Sequence, residues 1–296
     1  MVSQPLVTII CLCYNHEAFV IETLQSVHPQ TYKNTEFIII ADFSTDNSVK
    51  VIEQWLIKNP EVVFIKNTTN LGNTKSFNKA VAQSKGAFLI DLSCDDLLLP
   101  NTIAEQIHTF LKHDLTQTAI VYGNALNIDK KGNFLSYYFP VNNELKVLKQ
   151  PPSGAIYKKL LQGGLCMCSV SAMMNRAIFD KLQGYDESLA YEDLDYWIRA
   201  SRKYNVYYKN TVWVKKRMLS NSLASTFSKR KRYSQNMTAS TFKILQKAFQ
   251  LNTNKKEDKA LLKRVHYEIK ETLKRRDFHH FAQGIWFKIK LQNRRF

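Results

Sequence analysis

Five carboxylates in this 296-residue chain fall into two tight groups. Asp91, Asp95 and Asp96 crowd into LIDLSCDDLLLP (Leu89–Pro100), where an apolar run ends, and Glu192 adjoins Asp193 in YEDLDYWIRA. Acids set against a buried strand lose hydration and repel one another, so a cation, a proton or a ligand must compensate them. A hard divalent ion does so. Magnesium or manganese takes one or two protein carboxylates and fills the rest of its shell with water and substrate phosphates. Asp95 and Asp96 have a plainer alternative as capping acids ahead of LLLPNTIAEQ, although Pro100-Asn101 already opens that helix and Asp91 adds repulsion. Glu192 and Asp193 stand in the first turn of a helical pattern, where acids suit the positive helix end, and on residue type alone that is a structural role.

The elements that must position these acids alternate through the first half of the chain. LVTIICL, EFIIIAD, VVFIK and AFLIDL are short apolar runs, and AFVIETLQSV, SVKVIEQWLIKN and TKSFNKAVAQSK between them carry apolar residues at helical spacing. Continuous apolar strands separated by amphipathic helices predict a parallel sheet covered on both faces. Ligands of such sheets bind beyond the carboxyl ends of the strands. Tyr14-Asn15, Asp42 and Asp95-Asp96 follow three of the runs and are expected to converge there. Asp42 has a plainer role too, as the cap of the DFSTDN turn. From about Ala119 to Phe139 the pattern turns irregular, with strand-like AIVYGNALNI and FLSYYF about a DKKGN turn. Further on, SGAIYKKLLQ and RAIFDKLQGY read as helices and SVSAMMN as extended. No glycine-rich phosphate loop of the G-x-G-x-x-G or G-x-x-x-x-G-K-[ST] kind is present, so a diphosphate here needs charge from an ion held by acids.

Composition separates two regions. From Phe227 to Phe296 there are 19 Lys/Arg against 5 Asp/Glu, a net +14, whereas the other 226 residues carry 23 against 20. At 45% hydrophobic the chain can bury a sizeable core, which excludes a disordered or fibrous reading. No basic region followed by a long apolar stretch opens the sequence, and no run reaches the roughly 18 apolar residues a bilayer requires. A cytoplasmic protein is expected. The odd count of five cysteines agrees, since it argues for reduced thiols, and the two C-x-C pairs depart from zinc-ligand spacing.

Three fragments in order carry a resemblance. PLVTIICLCYNHEAFVIETLQSVHPQTYKNTEFIIIADFSTDNS resembles P-x-V-S-V-I-I-P-x-Y-N…Q-T-Y-x-x-x-E-I-I-V-V-D-D-G-S-T-D. NLGNTKSFNKAVAQSKGAFLIDLSCDDLLLP resembles N-x-G-x-x-x-A-x-N-x-G…L-D-x-D-D-x-x-x-P, and GYDESLAYEDLDYWIRA resembles G-x-F-D-E-x-x-x-x-E-D-x-D-L-W-L-R. Together they cover about Pro5 to Ser225 and mark the chain as similar to the family-2 inverting glycosyltransferases of bacterial surface-polysaccharide type. The resemblance implies a GT-A fold: an α/β, Rossmann-like, mostly parallel sheet flanked by helices over residues 1–226. Residues 227–296 would then be a basic helical C-terminal region.

The resemblance also implies roles. Tyr14, Asn15, Asp42 and Lys75 would bind the nucleotide of a uridine-diphosphate type donor, with Tyr14 against the base and Asp42 accepting a hydrogen bond from it. Asp95 would hold manganese or magnesium on the diphosphate, and Asp96 and Arg217 would serve the sugar and diphosphate. Asp193 would be the general base that deprotonates the acceptor hydroxyl, with Glu192 the alternative. The chain departs from the pattern at Ala41, Phe43, Phe77 and Ser93, and KKRMLSNSLAS holds none of the histidine often found there. Asp95 is therefore left as the one motif carboxylate for an ion.

The function expected is transfer of a sugar from a nucleotide donor to a saccharide or lipid-linked acceptor in cell-surface polysaccharide or lipopolysaccharide synthesis. Addition of single sugars is favoured, because the Q-x-x-R-W motif of processive synthases is missing. A nucleotidyltransferase would open on a G-x-G-T-R loop, which is absent; a catalytically decayed binding protein of the same fold is the other alternative. The basic tail lacks a stacking or groove-reading motif, so nucleic acid is not the expected partner. Two readings of it remain: a helical cap on the core, or a peripheral contact at the inner face of the plasma membrane. FAQGIWFKIKLQNRRF, with Trp286 and Phe287 beside lysines, suits an interfacial helix.

Overall fold

The computed structural model describes residues 4–220 and 232–295. The 226/227 division expected from composition lies outside the described residues.

One mixed sheet organises the body. Strands β1 (Val7–Cys13), β2 (Thr35–Ala41), β3 (Val63–Lys66) and β4 (Phe88–Ser93) form its parallel half in the order β3-β2-β1-β4. Every residue of β1 is buried, as a strand covered on both faces must be. Helices α1 (Val20–Val27), α2 (Ser48–Leu56) and α3 (Asn73–Val81) make the crossovers. Because β1, β2 and β4 run parallel and in register, the loops after Cys13, Ala41 and Ser93 leave the sheet along one edge.

Beyond β4 the sheet turns mixed. Strand β8 (Met173–Asn175) pairs antiparallel with β4 and with β6 (Thr118–Ile128), and β9 (Asn205–Arg217) runs parallel to β6. The short β5 (Leu97–Leu98) pairs with β9 at Val214 and Lys215, so two of the three leucines that follow the acids extend the sheet. β7 (Phe134–Tyr137) closes a hairpin on β6, its DKKGN turn held by Asp129 Oδ1, which accepts from the amides of Lys131 and Asn133. Helices α4 (Thr102–Phe110), α5 (Tyr157–Leu161), α6 (Arg176–Lys181) and α7 (Asp193–Lys203) complete the body.

The basic region folds into α8 (Arg232–Leu251), α9 (Lys255–Lys274) and α10 (Phe278–Gln292). Asn254 caps α9 and Asp277 caps α10 through side-chain oxygens that accept orphan amides of the first turn. These helices share a second hydrophobic core with the body, in which Met237, Ile244, Leu261, Val265 and Phe287 meet Tyr157, Leu161, Leu189 and Ile198. Phe287, expected at a membrane face beside Trp286, is 1% exposed and lies inside this core. The helical period explains it: 287 shares a face with the buried 280, 284 and 291, whereas 286 falls on the opposite side. No helix among the described residues is long and apolar enough to cross a membrane.

Candidate active site

At the carboxyl edge the first two loops are stitched into one wall. Asn15, at φ 56°, donates its amide to Ser44 Oγ and accepts from the Thr45 amide, while His16 and Glu17 donate amides to Ser48 Oγ and Asp46 Oδ2. Asp42 anchors the neighbouring loop. Its Oδ1 accepts from the Leu71 amide and Asn67 Nδ2, and its Oδ2 from the Gly72 amide, each at 2.8 Å. Asn67 in turn accepts from Lys79 Nζ. Around this buried aspartate stand three exposed side chains, Tyr14 (47%), Phe43 (50%) and Leu71 (36%), an apolar rim fit for a planar base. Lys75 is exposed on the first turns of α3.

The acidic loop follows β4. Ser93 Oγ donates to Asp95 Oδ1, and His16 Nε2 lies 4.0 Å from Asp95 Oδ2. The Nδ1 of His16 is buried without a hydrogen-bond partner among the described residues. Asp96, 3% exposed, accepts the Arg217 amide on Oδ1 at 2.7 Å. Burial and the neighbouring Asp95 charge hold the Asp96 carboxyl well above the usual range, against the pull of the Arg217 amide and the Lys216 charge. The Arg217 side chain turns away from the edge. It donates to the carbonyls of Asp95 and Lys130 and to Glu22 Oε2, so it ties the acidic loop to the β6–β7 turn and to α1. Side chains alternate along a strand, and the cation on the other face of β9 is Lys216. Its ammonium lies over Tyr138, 5.1 Å from the ring centroid, and its charge reaches both Asp96 and Asp193.

The second acid pair opens α7. Asp193 Oδ1 accepts the amide of Leu194 at 2.6 Å. Burial raises the Asp193 carboxyl; that amide, Lys216 and Arg264 oppose the rise. Glu192 is pushed up to about 7 by burial and by the Asp193 charge, with the Asn73 side chain hydrogen-bonded to it and Oε2 without a hydrogen-bond partner among the described residues. Asp91 Oδ2 accepts from Tyr185 Oη at 3.1 Å, and burial together with the Glu192 charge raises its carboxyl well above the ordinary range. Asn73 follows directly on the loop that Asp42 anchors, so the Asp42 wall leads through α3 to Glu192.

Residues 8–183, more than half of the chain, match the family model described as glycosyl transferase family 2. The chain belongs to glycosyl transferase family 2. An uncharacterized glycosyltransferase of Methanocaldococcus jannaschii is 30% identical over 200 residues, 67% of this family-2 chain and 65% of that protein. One from Rickettsia typhi is 31% identical over 216 residues, 73% and 64% of the two lengths. The chain thus spans just under two thirds of those relatives, and 30% of a longer one from Rickettsia bellii.

Solved structures agree on the GT-A fold. Staphylococcus aureus TarS 1–349 with UDP-GlcNAc superposes at a TM-score of 0.69 and 14% identity, over 96% of this chain and 81% of that one. The mannosyltransferase PcManGT of Pyrobaculum calidifontis, with GDP-Man and Mn2+, superposes at 0.61 and 14%, over 98% and 83%.

At this edge the fold brings Asn15, Asp42, Asp95, Asp96, Glu192 and Asp193 to one region and turns the Arg217 side chain behind it. Asp91, which the sequence places in the acidic cluster, also faces the second acid pair, and after burial the Glu192 and Asp193 charges raise its carboxyl. Lys216 is not singled out by the sequence, and strand alternation sets it on the face opposite Lys215 and Arg217. Among the described residues no group of three or more His, Cys, Asp and Glu side chains is placed to hold an ion. The donors present fit a narrower mode. Among the described residues Asp95 Oδ2 accepts no hydrogen bond, and the Nε2 of His16 lies 4.0 Å away, matching an ion that takes one carboxylate and completes its shell with diphosphate and water.

Proposed function

We propose that the chain is an inverting glycosyltransferase that moves a sugar from a nucleoside diphosphate donor, of uridine type, to a hydroxyl of a saccharide or lipid-linked acceptor in cell-surface polysaccharide or lipopolysaccharide synthesis. The observation that carries this reading is the meeting at one sheet edge of a base-sized rim around Asp42, the Asp95–Asp96 loop, and the raised acid pair at the start of α7. The rim of Tyr14, Phe43 and Leu71 takes the base, with Asp42 accepting from it. Asp95, beside His16, would hold a manganese or magnesium ion, which when bound offsets charge on the departing diphosphate. Asp193 takes the proton of the acceptor hydroxyl as its oxygen bonds to the anomeric carbon. The bond from that carbon to the diphosphate breaks and its electron pair leaves with the nucleotide, inverting the centre in a single displacement. A carboxyl raised by burial is a stronger base for this step than one in water. Lys216, between Asp96 and Asp193, supports the phosphate side, and Arg217 holds the acidic loop in place from behind.

The test is thermal unfolding with uridine, guanosine and thymidine diphosphates and cytidine monophosphate, each with and without manganese. A ligand at 100 times its Kd stabilises by about 2.7 kcal/mol, which a melt resolves. A manganese-dependent shift with one nucleotide, lost in Asp95→Ala, is expected. Absence of a shift with every nucleotide would overturn the reading, and binding without turnover on any acceptor would favour the decayed binding protein.

Peripheral membrane contact belongs to the same reading. Phe278, Trp286 and Ile289 are exposed along one face of α10, opposite its buried side, with Lys288 and Lys290 flanking them. An apolar stripe between lysines suits an interfacial helix on anionic lipid, where each basic residue contributes about 1 kcal/mol. Such a contact would bring the enzyme to a lipid-linked acceptor.

A further inference from the structure

Asp193 also lines a cavity of about 200 Å³ that the donor loops do not reach. Tyr191 and Trp197 supply aromatic wall, Leu160 and Leu194 apolar wall, and Arg264, from the C-terminal helix α9, a cation. Pockets for drug-sized ligands run to about 300–1,000 Å³, so this space suits a single sugar ring better than a longer chain. Aromatic and aliphatic walls with a few placed polar groups are the ordinary lining of such a site.

Arg264 is held in a way that leaves its outer fork presented. Its Nε donates to Glu268 Oε1 at 2.6 Å, which fixes the plane of the guanidinium. Neither Nη atom has a hydrogen-bond partner among the described residues, and the side chain is only 21% exposed. Gly163 makes room for it. At φ 75° the glycine occupies backbone space that side chains rarely adopt, and a Cβ there would fall 2.8 Å from Arg264 Cδ and 2.9 Å from Nη1. A half-buried guanidinium with its two terminal nitrogens unpaired matches an oxyanion, which it binds through two parallel hydrogen bonds. Glu268 engages only Nε, so the internal ion pair does not use up the fork.

We propose that this cavity is the acceptor subsite and that it selects a sugar carrying an oxyanion, phosphate or carboxylate, bound by Arg264 while a ring hydroxyl meets Asp193. The inference rests on the reading of Asp193 as the base. It gives the basic C-terminal helices a part in substrate choice, separate from any contact with lipid.

The experiment titrates α-D-glucose 1-phosphate, D-glucuronate and methyl α-D-glucoside into the full chain with uridine diphosphate and manganese in excess, reading Kd by calorimetry. At least one anionic sugar is expected to bind about tenfold or more tightly than the neutral glucoside, and which of the two does so identifies the oxyanion. That preference should disappear in Arg264→Gln with glucoside affinity unchanged. Should the melt show that variant to be unfolded, Arg264→Lys, which keeps the cation but not the fork, should lose most of the preference. Absence of an anion preference in the unaltered chain, or a preference undiminished in a folded Arg264 variant, would overturn the proposal. The nucleotide melts separate the two failures. A nucleotide shift without an anion preference defeats the subsite alone, whereas an Arg264-dependent preference without any nucleotide shift defeats the transferase reading and leaves an anionic-sugar site.

Discussion

The two halves of the proposed site, one for the donor and one for the acceptor, are built by different means. The donor half is assembled from loops that follow successive parallel strands and are sewn together by short polar side chains bonded to backbone amides: Asn15 to Thr45, Asp46 to Glu17, Asp42 to Leu71 and Gly72. The acceptor half is assembled by packing. Its walls come from the end of α5, the start of α7 and the side of α9, brought together by a second hydrophobic core. Local hydrogen bonding fixes one half and distant apolar contact fixes the other, so damage to each should take a different form.

Chemistry gives the largest expected effect. Asp193→Asn should lower kcat by about 10²–10⁴-fold, the usual contribution of a general base, while the nucleotide-induced melting shift stays intact. A shift lost together with activity would mean that the two halves are not separable at α7. Arg217→Met should come next. It leaves the buried carbonyl of Asp95 unpaired at about 1–3 kcal/mol and frees the β6–β7 turn at Lys130, so the denaturant midpoint should fall and nucleotide binding weaken with it. Asp42→Ala removes three hydrogen bonds to a carboxylate, each contributing about 1.5–3 kcal/mol, and should lower the melting point by several degrees or more.

The acid pair gives a smaller effect with a definite sign. Glu192 titrates near 7 in the folded chain against 4.5 ordinarily, so the folded state binds the extra proton between those values. Stability should fall as pH rises from about 4.5 to about 7, and Glu192→Gln should flatten that slope in pH-dependent melts. The mildest prediction concerns the outer face of α10. Trp286→Ser should weaken partition onto anionic vesicles without moving the melting point, because Trp286 is 57% exposed. A fall in melting point instead would place that face in the fold and not at a membrane.

This division also explains what sequence reading could see. The donor half was legible because its strands are continuous apolar runs and its functional residues sit in the few positions just past them. In the sequence Asp42 fits both a turn cap and a ligand, and its hydrogen bonds to Leu71 and Gly72 show a structural duty to a loop nearly 30 residues away, which local turn chemistry does not reveal. β5 was hidden because two residues give no periodicity, and its partner β9 lies over 100 residues on. Arg264 had no signal at all. It is one of 19 basic residues in its region, and only the docking of α9 beside Gly163 distinguishes it. Phe287 and Trp286 are adjacent, so composition could not separate the core side from the outer side without the phase of the helix.

Helix α7 belongs to both cores. Tyr196 and Ala200 lie in the one beneath the sheet, and Ile198 in the one shared with the C-terminal helices. Lys247 of α8 reaches Asp195, and Glu257 of α9 reaches Arg202, from the other side. Domains generally fold in the order in which they leave the ribosome. The loops after β1, β2 and β4 can therefore take shape early, while Asp193, the proposed base, stays unseated until chain some 50 residues further on has been made and docked. Under the proposed function, a nascent molecule would hold its donor before it could spend it, and activity would report that α8 and α9 had been made.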